Sequence, residues 1–308
     1  MISIIIAGRN DNYGGDFEDR LFSTSRYNVD ALRAHGIEFE LIFVEWNPLP
    51  DRELLSEKVM DAFPEARCIV VDGAIHRLIS ENRHIAVFEY HAKNAGAARA
   101  KGDWILITNP DNFLGGDVLQ FLQQGAFDAN TLYRAGRIDI ADETLVDSPD
   151  LEDDFAHEDA PFFGASGDFI FCSAELFRQI GGFREDLKFT NTAKDVIFCQ
   201  SAFERTGQAV KIGCTYHLSH GRPQHTSRRI VFAWHKVSRL PQKTFGLADD
   251  DVIATTHGRI TRLTLPDHLL GAANGRQPPD PAVPHEYRVD YSLVRQPRKA
   301  LLRFMGRL

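Results

Sequence analysis

Lys93-Asn94-Ala95-Gly96-Ala97-Ala98-Arg99-Ala100-Lys101-Gly102-Asp103-Trp104-Ile105-Leu106-Ile107-Thr108-Asn109-Pro110-Asp111-Asn112 reads as a helix, a stop, a buried strand and an oxygen-rich turn. Alanine is the best helix former, so Ala92 to Lys101 is expected to be helical, and Gly102 can take the left-handed conformation that closes it. Trp104 to Thr108 is a short apolar run without alternation, the pattern of a strand covered on both faces. Asn109-Pro110-Asp111 then falls at the carboxyl edge of the sheet that this strand joins. Hard divalent cations take carboxylate, carbonyl and water oxygens, which makes Asp111 a candidate metal ligand. Proline and aspartate are also ordinary turn residues, and the tripeptide by itself leaves both readings open.

Working outward, Ile2 to Ala7 is a β-branched run stopped by Gly8, and Glu40 to Glu45, Arg67 to Val71 and Ala86 to Tyr90 also read as strands. Leu21 to Ala34 and Arg52 to Phe63 carry apolar residues at helical spacing. Strands alternating with helices predict an α/β fold with an open, mostly parallel sheet flanked by helices, and ligands beyond the carboxyl ends of the strands. In the second half, Ala174 to Ile180, Ala193 to Arg205 and Thr226 to Val237 are expected helices, and Ala209 to Ile212 a short strand. The acidic stretch Asp139 to Asp159 suits a solvated loop or a lid, and Gly271 to Pro284 a linker. The expected organisation is one catalytic domain over residues 1–225, with halves 1–115 and 116–225, followed by a helical or extended region over 226–308. No internal repeat is visible.

The 308 residues carry 35 Lys+Arg against 43 Asp+Glu, a net charge of −8, with 43% hydrophobic residues. That apolar content excludes disorder of the whole chain. An acidic balance without a Lys/Arg block argues against nucleic acid as a partner, since that binding works through clustered positive charge. Cys68, Cys172, Cys199 and Cys214 form no C-x-x-C pair and are expected as buried thiols in a reduced compartment. Ile2 to Ala7 is far shorter than the roughly 20 apolar residues of a spanning helix, and no signal peptide or transmembrane span is expected.

Ile4-Ile5-Ile6 running into a polar loop, Val44-Glu45-Trp46-Asn47, Asn94-Ala95-Gly96 and Asn109-Pro110-Asp111, in that order and spacing, resemble the nucleotide-sugar half of the inverting glycosyltransferases of GT-A fold, family-2-like. The resemblance implies a GT-A-like sheet with a smaller acceptor-side region and a C-terminal extension. It also implies that Ala7, Gly8, Arg9, Glu45, Asn94 and Asn109 line the donor site, and that Asp111 holds Mn²⁺ or Mg²⁺ with the diphosphate. Asn109 departs from the D-x-D pattern, and an amide oxygen is a weaker ligand than a carboxylate.

Phe163-Gly164-Ala165-Ser166-Gly167-Asp168-Phe169, Glu175-Leu176-Phe177 and Ile180-Gly181-Gly182-Phe183 are similar to the acceptor-side segment of that family. Lys194-Asp195 stands where the family has an acidic pair opening a helix. Asp195, its one acid, is by this resemblance the catalytic base that takes the acceptor proton. An acid in a first helical turn also gains about 0.3–1 kcal/mol from the helix dipole. His217 and His220, three apart, can face one site if their segment is a turn or helix, and the resemblance implies a late histidine on the metal or diphosphate. Arg222, Arg228 and Arg229 suit either a diphosphate or a solvated helix face. Arg295, Arg298, Lys299, Arg303 and Arg307 alternate with apolar residues in a tail that suits an anionic membrane surface, the domain itself or a homodimer contact.

The function implied is metal-dependent transfer of a hexosyl or deoxyhexosyl group from a nucleotide-diphosphate sugar donor to a glycan or lipid-linked acceptor hydroxyl, as in polysaccharide biosynthesis. The implied location is cytoplasmic or peripheral to the inner face of the membrane. A nucleotidyltransferase would need a Gly-rich basic loop after the first strand, and Gly8 to Gly15 is poor in lysine. A catalytically degenerate nucleotide-sugar-binding or scaffold protein is the other alternative, favoured by Asn109 and the missing second acid.

Overall fold

A computed structural model describes residues 1–151, 167–191, 194–220, 244–248 and 251–278. Its centre is β1 (Ile2–Gly8), whose alternating side chains enter two different cores. Ile2, Ile4 and Ile6 pack on one face with Leu21, Val29 and Leu32 of α1 (Phe17–Ala34) and Val59 of α2 (Leu55–Ala62). Ile5 and Ala7 pack on the other with Ala92 and Ala95 of α4 (Glu89–Ala98). A strand covered on both faces has no polar side to present, which is why Ile4, Ile5 and Ile6 follow one another without alternation, and Ser3 is buried with its hydroxyl on Glu40.

The sheet has ten strands in the order β5-β8-β6-β7-β4-β1-β2-β3-β10-β9. These are β2 (Phe39–Trp46), β3 (Ala66–Val71), β4 (Trp104–Thr108), β5 (Asn112–Leu114), β6 (Leu132–Ile140), β7 (Phe169–Ser173), β8 (Ala209–Leu218), β9 (Ile253–His257) and β10 (Ile260–Thr264). β5, β7 and β9 run against the others, so the sheet is mostly parallel. Helices cover both faces, with α5 (Gly116–Gln124) beside α1 and α2, and with α3 (Gly73–Ile79), α6 (Ala174–Ile180), α7 (Lys194–Thr206) and α8 (Asp267–Gly275) on the α4 side. Gly96 lets α4 lie flat on the sheet, because a Cβ there would stand 2.6 Å from Ile5 Cγ2.

The order of strand and helix expected for residues 2–108 holds with two corrections, the first being α3, a helix not expected after β3. Ala86 to Tyr90 is no strand: Phe88 caps α4, and Glu89 and Tyr90 form its first turn. Phe88 is fully buried under that turn, so an apolar helix start imitates a short strand. The helix also ends at Ala98, ahead of Gly102. Where it is described, the C-terminal region joins the sheet: β10 adds parallel to β3 and β9 closes that edge. Arg259 fastens it by donating to the carbonyls of Met60, Phe63, Pro64 and Ala66.

Opposite the carboxyl edge, Glu40 ties three elements together. It accepts from Ser3 Oγ (2.6 Å), the Lys101 amide (2.6 Å) and Arg67 Nε (2.8 Å). Cys68, Cys172 and Cys199 are buried free thiols as expected, and burial pushes Cys68 and Cys199 up to about 12, whereas Cys214 is only half-buried. No described helix is long and apolar enough to cross a membrane.

Candidate metal and transfer site

Asp111 and His217 are brought together by strand pairing. β5 and β8 run antiparallel with Asn112 opposite His217, and the Leu218 amide donates to the Asp111 carbonyl at 2.8 Å. α1 braces the turn from behind, through Thr24 Oγ1 to the Pro110 carbonyl (2.6 Å) and Asn28 Nδ2 to the Asn112 carbonyl (2.8 Å). His217 closes a strand, not a turn or helix, and His220 lies three residues on, after the strand has ended. His220 Nε2 lies 3.2 Å and His217 Nε2 3.7 Å from Asp111 Oδ2.

One ligand atom from each of Asp111, His217 and His220 falls within 4.8 Å of the others. A divalent ion with bonds of about 2.1 Å sets neighbouring ligand atoms about 3 Å apart, so the three close on an ion with small side-chain movement. Their charge states suit it as well. Burial works to lift the Asp111 carboxyl, but the His220 hydrogen bond and the His217, His220 and Arg20 charges outweigh it and hold it below its ordinary value. Burial lowers His217 despite the pull of Asp111, favouring the neutral imidazole that ligates metal.

A second ring of groups orients the first. Asp139 stands opposite His217 in the β6–β8 register, with Oδ1 2.8 Å from His217 Nδ1. An Arg137 terminal nitrogen also lies 2.9 Å from that Nδ1; a proton on Nδ1 directed at Asp139 would leave the Nε2 lone pair free for an ion, the arrangement a carboxylate partner favours in a ligating histidine. Arg137, two residues earlier on the same strand, donates to Asp139 through Nε (2.9 Å) and to Asp168 Oδ2 through a terminal nitrogen (2.8 Å). On the outer side, the Tyr13 ring meets His220 edge-on at 5.5 Å, and Arg20 holds the loop by donating to the Tyr13 carbonyl and pairing with Asp16.

Asn109 is turned away from this cluster. Its Oδ1 accepts from Lys93 Nζ at 2.6 Å and its Nδ2 donates to Asp168 Oδ1 at 2.7 Å, so both ends of the amide are used inside the protein. Glu45 is also not brought to the site, because its oxygens accept from the Leu55 and Ser56 amides (3.1 and 2.9 Å) at the start of α2. Asn94, fully buried, spans Phe183 by donating to its carbonyl and accepting from its amide. Ala7 and Gly8 end β1, and Arg9 beyond them donates to the Asn47 carbonyl at 2.6 Å, knitting the β1 and β2 loops. These expected donor residues therefore shape the carboxyl edge through the backbone, and their polar side chains are committed within it.

Asp195 opens α7, half-buried. Burial pushes its carboxyl above the ordinary value, and Glu89 adds to this, while the Val196 amide, Arg134 and Lys93 oppose it. A Cβ on Gly167 would lie 2.5 Å from Tyr90 Oη and 3.4 Å from Asp195 Oδ2, so both groups crowd that peptide. Only a residue without a side chain lets them approach it.

The sequence reading missed Lys93, Arg137, Asp139 and Asp168 as site residues. For Arg137 and Asp139 a signal existed: spacing of two on a strand puts both on one face. Arg222, Arg228, Arg229, the stretch 162–166, the helix expected at 226–237 and the basic tail lie outside the described residues.

No protein-family model matches the sequence, and no curated protein matches it. Among solved structures, the chain is similar to the catalytic domain of Drosophila beta1,4-galactosyltransferase 7 in complex with xylobiose, with 11% identity over 86% of this chain and 94% of that chain and a TM-score of 0.44. It is also similar to a mycobacterial protein, with 14% identity over 73% of this chain and 68% of that chain and a TM-score of 0.42.

Proposed function

We propose that the chain is a metal-dependent glycosyltransferase that moves a sugar, with inversion, from a nucleotide-diphosphate donor to an acceptor hydroxyl. The observation that carries the reading is the Asp111, His217 and His220 cluster at the carboxyl edge of an open sheet, where such folds bind ligands. One carboxylate and two imidazoles leave positions open for diphosphate oxygens. Mn²⁺ or Mg²⁺ held there supplies Lewis-acid stabilisation of the charge that develops on the leaving diphosphate.

Asp195 is the base in this reading. Its Oδ takes the acceptor proton as the hydroxyl oxygen bonds to the anomeric carbon and the bond from that carbon to the diphosphate oxygen breaks. A carboxyl lifted by burial holds a proton more readily than an exposed one, which suits that task. Tyr90 and Gly167 shape the wall beside it. The acceptor is a glycan or lipid-linked glycan, as the resemblance of Phe163 to Phe183 suggests, and the setting is polysaccharide biosynthesis at or near the inner face of a membrane.

The test is release of nucleoside diphosphate from a panel of nucleotide-diphosphate sugars with Mn²⁺. Turnover of one donor, abolished by EDTA and by Asp111→Ala, supports the reading and names the donor. Absence of turnover and of binding across the panel supports the degenerate binding protein instead.

A further inference from the structure

Lys93 is fully buried on the inner face of α4, a position where an ammonium is costly unless several acceptors surround it. Its Nζ reaches three elements at once: Glu89 Oε1 on α4 (2.5 Å), Asn109 Oδ1 on the metal turn (2.6 Å) and the Gly167 carbonyl beside Asp195 (3.3 Å). From Asn109 the contacts run on through Asp168 (2.7 Å) to Arg137 (2.8 Å), then to Asp139 and His217. From Asn109 to Asp139 every link in that line is a charged group or a primary amide with both ends used. The line joins the residue beside the base to the residue that orients a metal ligand.

We propose that Lys93 is a positioning residue that ties the metal turn to the base, fixing Asn109 on one side and the Gly167 peptide on the other. The inference rests on the transferase reading for what the two halves do, and on the hydrogen bonds alone for the tie. Without the ammonium, Asn109 loses the acceptor contact that sets its amide, Asp168 and Arg137 lose their fixed neighbour, and the Gly167 peptide is released from α4. The groups facing Asp195 are Glu89, Tyr90 and Lys93 from α4, Arg134 from β6 and Cys199 on α7. Lys93 and Arg134 are the cations among them, so removing Lys93 makes the Asp195 carboxylate harder to form.

The experiment uses the full chain and two probes that need no donor. Mn²⁺ alone is titrated into wild type, Lys93→Met, Lys93→Gln and Lys93→Arg and followed by its electron paramagnetic resonance signal. In each background, the urea midpoint with and without Asp195→Asn is followed over about pH 3 to 8, where the difference inflects at the titration of folded Asp195. The proposal expects Lys93→Met to weaken Mn²⁺ about 10-fold or more, as loss of orienting partners does, and to move the inflection to higher pH. Lys93→Gln, which keeps a donor to Asn109 without the charge, moves the inflection in the same way but weakens Mn²⁺ less. Lys93→Arg keeps the inflection at its wild-type position. An inflection unmoved in Lys93→Met and Lys93→Gln, or an Mn²⁺ affinity in Lys93→Met within about twofold of wild type, overturns the proposal. If Lys93→Met does not fold, Lys93→Gln decides alone. If wild type itself binds no Mn²⁺, the metal reading fails separately, and the inflection still decides whether Lys93 governs Asp195.

Discussion

The Asn109 amide nitrogen lies 2.7 Å from Asp168 Oδ1, while its oxygen takes the Lys93 ammonium at 2.6 Å. An amide is the side chain of this size that can accept at one end and donate at the other, so asparagine at this position answers to two neighbours of opposite charge. An aspartate would set two carboxylates against each other in a half-buried place.

Asn109→Asp therefore restores the two-acid turn in sequence and harms it in structure. The expected outcome is a loss of about 1–3 kcal/mol of stability from the broken hydrogen bond and the like-charge contact, with no gain in Mn²⁺ affinity. Urea denaturation and metal titration of the same sample check both parts.

Asp139→Asn leaves a side chain of the same shape beside His217 and removes the carboxylate that stands 2.8 Å from its Nδ1. Mn²⁺ affinity is expected to fall about 10–100-fold. The change in melting temperature should be small, because Asp139 is largely exposed. An affinity equal to wild type would remove Asp139 from the account of the site.

Asp195→Asn is expected to cost activity about 10²–10⁴-fold and to raise stability at neutral pH. Burial holds the folded carboxyl above its unfolded value of about 3.9, so an ionised Asp195 penalises the fold at pH 7. Below the unfolded value both states are protonated and the penalty is absent. The gain from the substitution should shrink as pH falls toward 4, which urea midpoints at two pH values measure.

Lys194 is buried against Phe88 and 3.2 Å from His91 Nδ1, and burial pushes its ammonium down to about 7, with Glu185 and Asp186 opposing. The unfolded lysine keeps its proton to about 10.4, so the fold loses stability as pH falls from there to about 7 and no more below it. Lys194→Met is expected to stabilise the protein by a few kcal/mol, on the order of 3–5, at pH 6 to 7, and by little above pH 10.5. Thermal melts across that range check it.

The sheet was legible because β1, β2, β3 and β4 are buried on both faces, and an uninterrupted apolar run carries that signal in the chain. β6 was missed because Arg134, Arg137 and Asp139 break its apolar pattern, and they do so because that strand carries the site. β10 was missed because its residues are mostly half-buried next to the edge strand β9 and its partner β3 is distant in sequence. Asp111, His217 and His220 were recognisable as residue types in order, but their meeting depends on the β5–β8 pairing, which neither strand announces alone. Glu45 and Asn94 were expected at the donor site from the resemblance alone. Their roles, at the start of α2 and across Phe183, depend on backbone groups that no side-chain pattern reveals.

The central claim is that Asp111, His217 and His220 hold a divalent ion through which a nucleoside diphosphate binds. Calorimetric titration of nucleoside diphosphates with and without Mn²⁺ tests it most directly. The account predicts that one of them binds at least about tenfold more tightly with Mn²⁺ and that Asp111→Ala abolishes this gain, a difference of about 1.4 kcal/mol or more. Equal affinity with and without the ion, or a gain that survives Asp111→Ala, would contradict it.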